Sequence, residues 1–155
     1  MEERILKLPH YKTCFGCGLE NPIGLKLERY WDKNEKKVFA NFKLDRFYNG
    51  FENIAHGGIL AVIADEVLWW SVFMTTKKVT VTYKLDLTFL KPIIVGENYA
   101  AVARVSDEKG KRIMAEAEIV DNNATTYLKA QGLFVEIKEK ESQKFLKDYE
   151  YLFNK

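Results

Sequence analysis

The sequence predicts an α+β fold: a curved antiparallel β-sheet wrapped around one long central helix. Three observations carry this. A single stretch, residues 57 to 73, is apolar at helical spacing and on most of its sides. Long alternating segments follow it one after another, with hairpin-type turns between them. Strands that run consecutively in this way pair antiparallel, and a lone apolar helix must bury itself on the sheet they form.

The elements can be justified in chain order. After "NPIG", the segment "LKLERYW" (25 to 31) alternates and is expected to be a first strand. "KKVFANFKL" (36 to 44) is the second, with Val38, Ala40, Phe42 and Leu44 on one face. "DRFYNGFENIAHGG" is rich in Asn and Gly and reads as a long irregular connection. The helix from Gly57 to Phe73 carries Ile59, Leu60, Val62, Ile63, Val67, Leu68 and Trp70, so it should be buried. "KKVTVTYKLDLTFLKPI" sets Val79, Val81, Tyr83, Leu85, Leu87 and Phe89 on one face and Thr80, Thr82, Lys84, Asp86 and Thr88 on the other. "ENYAAVARVSD" and "KRIMAEAEIVD" flank the turn "EKG", and "TTYLKAQGLFVEI" is the last long strand. The charged tail, 138 to 155, is expected to be helical and lightly packed. Nothing divides the chain, so residues 1 to 155 read as one domain with its core in 14 to 137.

Composition excludes several classes. A content of 47% hydrophobic and 14% aromatic residues in 155 is enough for a real core and rules out a disordered chain. The net charge is only +2 and the bases are interleaved with acids, so nucleic acid is not an expected partner. No apolar run is expected to reach the roughly 20 residues that span a bilayer. "MEERILKLPHYK" lacks the apolar run of a secretory signal. The expectation is a soluble cytoplasmic protein with no membrane partner. Two cysteines make no disulfide framework.

Four stretches stand out: "CFGCGLENPIGLKL", "FYNGFENIAHGGILAVIADE", "VTYKLDLTFLKPIIVGE" and "YLKAQGLFV". In this order they resemble the hot-dog fold acyl-CoA thioesterases, specifically the PaaI-like branch related to 4-hydroxybenzoyl-CoA thioesterase. The resemblance covers roughly residues 14 to 137 and implies hydrolysis of an acyl-CoA thioester at a site shared across a homodimer. It implies no cofactor, coenzyme A being part of the substrate and product, and it leaves a dimer of dimers open.

Thioester hydrolysis needs a group that activates or supplies a nucleophile, and donors for the oxyanion. A helix N-terminus supplies unpaired N–H groups and a positive dipole end. Gly57, with Gly58 beside it, lets a carbonyl approach those amides. Asp65 suits the nucleophile or general base. The two are eight residues apart, roughly 12 Å along a helix at about 1.5 Å per residue. One thioester carbon cannot lie within about 3 Å of both. If both act on one substrate, Gly57 comes from one subunit and Asp65 from the other, as the resemblance also implies.

The remaining candidates rest on less. Glu66 points about 100° away from Asp65 and reads as a structural or interface carboxylate. His56 is expected to support the loop at the helix start rather than transfer a proton. The resemblance matches Asn49 to a Gln or Asn that places the water or the carbonyl, with Asn53 as rival. It matches Thr82, ten residues before Pro92, to a Ser or Thr that assists the attacking water. Lys91, Lys111 and Arg112 are candidates for the phosphates of coenzyme A. Trp69, Trp70 and Phe73 read as core rather than an acyl pocket. Cys14 and Cys17, with only His10 and His56 as further ligands, fall short of a closed zinc site and read as a tight turn with buried thiols. Three other classes remain: an acyl-CoA binding protein without turnover, a zinc protein, and a hydratase. The last needs a His soon after the Asp, and none follows Asp65.

Overall fold

The computed structural model describes residues 4 to 154. Nine strands and two α-helices follow in order: β1 (Ile5–Lys7), β2 (Tyr30–Asp32), β3 (Lys37–Lys43), β4 (Asn49–Phe51), β5 (Ile54–Ala55), α1 (Gly57–Thr76), β6 (Thr80–Phe89), β7 (Asn98–Lys109), β8 (Arg112–Val120), β9 (Thr126–Glu136) and α2 (Glu139–Tyr149). Seven of the strands form one antiparallel sheet in the order β1-β2-β3-β7-β8-β9-β6. β4 and β5 make a small separate hairpin. The α+β reading holds, with α1 lying against β3, β6, β7, β8 and β9.

Alternation explains most of the sheet. Val38, Ala40, Phe42 and Leu44 are all buried, as their spacing predicts. Bulges in β6 after Thr82, in β7 after Val105 and in β9 at Tyr127 bend the strands around the helix. Gly132 in β9 sits where the Phe134 ring and Leu68 of α1 leave no room for a side chain. A side chain there would run into the Phe134 ring at 2.5 Å and approach Leu68 of α1.

Six expectations need correction. Only Tyr30–Asp32 of the segment 25 to 31 is strand. Leu25 and Leu27 instead donate their N–H groups to the carbonyls of Phe15 and Gly16, which ties this segment to the cysteine loop. The irregular connection contains a one-turn helix at Arg46–Tyr48 and the β4–β5 hairpin. α1 runs on to Thr76, since the sequence carries no glycine stop and Lys77 itself takes the left-handed cap. At 20 residues α1 is long and apolar enough to cross a bilayer by length and composition, yet here it is the core helix of the sheet. The tail is not lightly packed. Phe145 meets the rings of Trp69 and Phe73 at 5.3 and 5.2 Å, Tyr149 meets Trp70 at 5.9 Å, and Leu152 is buried. That contact makes Trp69, Trp70 and Phe73 a core aromatic cluster.

The most informative departure is on β6. Its predicted apolar face is not buried as a unit: Val81, Tyr83 and Phe89 are 54%, 70% and 53% exposed. β6 is an edge strand of the sheet, and among the described residues its outer edge has no partner.

Candidate functional site

The N-terminus of α1 is built by the loop before it. His56 is the N-cap, and its Nδ1 accepts the Gly58 N–H at 2.9 Å. The His56 carbonyl accepts the N–H groups of Ile59 and Leu60. Among the described residues this leaves the Gly57 amide as the first-turn donor with no protein acceptor. The bare Cα of Gly57 faces the edge of the Phe89 ring. Gly58 therefore differs from its expected place in substrate binding: its amide already serves the histidine. With Nδ1 of His56 as acceptor, its proton in the neutral form sits on Nε2.

Asn49 lies beside this helix end. It pairs with Ala55 across the hairpin, and the preceding Tyr48 carbonyl accepts the His56 N–H at 2.8 Å. Its side chain is exposed. The rival Asn53 is the left-handed turn residue of the hairpin, with φ of 58°.

Asp65 stands two turns further along α1, half-buried, and accepts a hydrogen bond from the Thr82 hydroxyl at 2.8 Å. Thr82 lies on the exposed edge strand, so the pair is open to whatever covers that edge. Burial pushes the Asp65 carboxyl above its ordinary range. The Thr82 hydroxyl opposes this, and the neighbouring Glu66 charge adds to it. Among the described residues no cation pairs with Asp65. The structure thus groups Gly57 with His56 and Asn49 at the helix end, and Asp65 with Thr82 at its middle.

The expected phosphate-binding bases are not brought together within one chain. Lys91 follows Phe89 at the Gly57 end of β6 and holds its ammonium 5.9 Å from the Tyr127 ring. Lys111 and Arg112 lie on the β7–β8 turn, at the opposite end of the sheet, where the Lys111 carbonyl accepts from Glu136.

Glu66 is structural, as expected, and its partners are the surprise. Oε1 accepts from the Arg29 guanidinium at 2.9 Å and from the Trp70 indole at 3.0 Å. Arg29 is fully buried, donates also to the carbonyls of Pro9 and Leu27, and sits 4.9 Å from the Trp70 ring. The sequence reading missed Arg29 because an arginine in an alternating segment is expected to face water. The only available cue was its apolar neighbourhood. Oε2 of Glu66 faces the Cys14 thiol at 3.6 Å. The Cys17 thiol brings Cys14 down to about 5, while Cys17 itself goes up through that contact and burial.

A sheet of seven antiparallel strands around one central helix, with two glycines in the first turn of that helix and a mid-helix carboxylate, defines the hot-dog class. Residues 52–127 match the family model described as the thioesterase superfamily, and the chain belongs to that superfamily. It is 22% identical over 124 residues to the rat (Rattus norvegicus) acyl-coenzyme A thioesterase THEM4, a match covering 79% of this chain and 53% of the relative. The chain spans about half the length of the curated relatives it matches. Among solved structures it is similar to the E. coli PaaI protein from the phenylacetic acid degradation operon. That likeness has a TM-score of 0.62 at 19% identity and covers 66% of this chain and 74% of that one. A Streptococcus mutans protein solved with bound acetyl-CoA gives a TM-score of 0.62 at 16% identity, covering 66% of this chain and 82% of the other.

Proposed function

We propose that this protein is a PaaI-like acyl-CoA thioesterase that works as a homodimer, with each active site built from two chains. The observation that carries this is the separation of the two half-sites. Among the described residues Gly57 offers an amide with no protein acceptor, and Asp65 is a carboxylate held by a hydroxyl with no cation beside it. They lie roughly 12 Å apart on one helix at about 1.5 Å per residue. The exposed apolar side chains of β6 support the second copy. Phe89 packs at Gly57, Thr82 bonds Asp65, and both stand on the open edge. Two antiparallel β6 strands related by a two-fold axis bring the Gly57 end of one chain toward the Asp65 level of its partner.

In such a site the Gly57 amide receives the thioester oxygen as it becomes an oxyanion. Asp65 takes a proton from water as the water oxygen attacks the carbonyl carbon, or attacks that carbon itself. In the first route the carbon–sulfur bond breaks and that proton goes to the sulfur of coenzyme A. In the second the thiolate leaves an acyl anhydride on Asp65, which water splits into the free acid and Asp65, the proton released going to the thiolate. Thr82 orients the Asp65 carboxylate. Asn49 helps place the carbonyl or the water, and Lys91, Lys111 and Arg112 serve the phosphates of coenzyme A from the two chains. No cofactor takes part.

The test is release of free thiol from short, medium, long and aromatic acyl-CoA esters, with wild type and Asp65→Asn side by side. Wild type turns over at least one of them, and the amide variant falls by about 10²-fold or more, the scale of losing a base. Equal rates in the two proteins would remove Asp65 from the mechanism. Binding of coenzyme A esters with no turnover in wild type would make this a binding protein on the same fold.

A further inference from the structure

The loop Cys14–Phe15–Gly16–Cys17 is not explained by the hydrolysis described above. It folds against the middle of α1, one residue from Asp65 and on a different side of the helix. There the Sγ atoms of Cys14 and Cys17 and a carboxylate oxygen of Glu66 all lie within 4.8 Å of one another. We propose that Cys14, Cys17 and Glu66 form a binding site for a thiophilic divalent cation, Zn²⁺ foremost, with water in the fourth position.

Four features of the structure support this. The first is spacing. A tetrahedral zinc centre has its sulfur at about 2.3 Å and its oxygen at about 2.0–2.2 Å, which puts ligand sulfur and oxygen about 3.6 Å apart. Cys14 Sγ and Glu66 Oε2 are 3.6 Å apart. The second is that Gly16 leaves room for the carboxylate. A side chain at this position would stand 2.5 Å from Glu66 Oε2, so the loop can approach only because that residue has no Cβ.

The third is rigidity. Glu66 is fixed by two donors on Oε1, Arg29 and Trp70, which turns Oε2 toward the thiols. The loop is fixed by the Gly18 N–H on the Cys14 carbonyl, by the Leu25 and Leu27 amides, and by the His10 ring on the Cys17 carbonyl. Held second partners of this kind orient metal ligands and set their affinity. The fourth is charge. A divalent cation with two thiolates and one carboxylate carries one net negative charge, and the fully buried Arg29 guanidinium cancels it. A buried site that closes to neutrality avoids the cost of an unpaired internal charge. Sequence counting missed this site because it looked for Cys and His, and the third ligand is a glutamate 49 residues after the second cysteine.

The ion joins the N-terminal segment to the helix that carries Asp65 and takes no part in the hydrolysis. The experiment uses the full chain purified under reducing conditions without chelator. Its zinc content is measured, and Co²⁺ is then added to wild type, Cys14→Ser, Cys17→Ser and Glu66→Gln. Wild type is expected to hold about one zinc per chain, or to give with Co²⁺ a thiolate-to-metal charge-transfer absorption that Zn²⁺ abolishes. Each cysteine variant should bind at least about tenfold more weakly. Glu66→Gln should keep the sulfur absorption and lose affinity. The proposal is overturned if wild type carries no zinc and gives no sulfur absorption while two free thiols titrate. Undiminished binding in both cysteine variants, or a Cys14–Cys17 disulfide in the reduced preparation, would overturn it equally. The wild-type spectrum decides even if a variant fails to fold.

Discussion

Asp65 and Glu66 are adjacent on one helix, and the protein treats them in opposite ways. Burial raises both carboxyls above their ordinary range. Glu66 is compensated by the Arg29 guanidinium, the Trp70 indole and the cysteine loop. Asp65 receives one hydroxyl, from a strand at the open edge of the sheet. The difference teaches how structure separates a support from a reagent. A carboxylate paired with a buried guanidinium holds elements together, whereas one left half-desolvated without a cation keeps its basicity.

The comparison can be broken from the Glu66 side first. Glu66→Ala leaves the Arg29 guanidinium buried with no counter-charge, which should cost about 3–5 kcal/mol of stability. Chemical denaturation of the variant measures it. A loss under about 1 kcal/mol, the scale of an exposed pair, would mean the pair is not structural. At Asp65 the balance is reversed. Its folded-state pKa is raised, so its favourable contribution is full below the unfolded value and is lost as pH rises through the folded one. At neutral pH the ionised group is therefore a burden. Asp65→Asn, while inactive, should gain about 0.5–2 kcal/mol at pH 7, the range of substitutions that relieve a functional site. A fall in its thermal midpoint would contradict that.

Thr82→Val sharpens the comparison further. Losing one hydrogen bond to a charged group should lower kcat/KM by about ten- to a hundredfold, from the roughly 1.5–3 kcal/mol such a bond is worth. The hydroxyl favours the ionised carboxylate, so its loss should also move the acid limb of the pH–rate profile to higher pH. An unmoved limb would show that Thr82 is present only for its place in the strand. Smallest is Gly58→Ala. A Cβ there stands 3.1 Å from His56 Nδ1, so the cap must shift slightly and activity should fall only a few-fold if Gly57 alone supplies the oxyanion donor.

Periodicity alone determined the sheet, the buried helix and the position of Asp65 eight residues after the first helical glycine. These features depend on spacing along the chain, which a sequence displays directly. The separation of Gly57 from Asp65 was equally legible, since helical rise is a constant. Thr82 entered through family likeness, as a residue assisting the attacking water, and the structure supplied its 2.8 Å contact with Asp65. Four other facts belong to the tertiary structure alone. His56 occupies the Gly58 amide, Arg29 is buried under Glu66, the tail covers the Trp69 and Trp70 rings, and Glu66 meets two cysteines far away in sequence. Each depends on which residues meet after the chain has closed on itself. Local pattern carries propensity and facing, but a contact between distant residues is decided by how the helix, the sheet and their connections pack together.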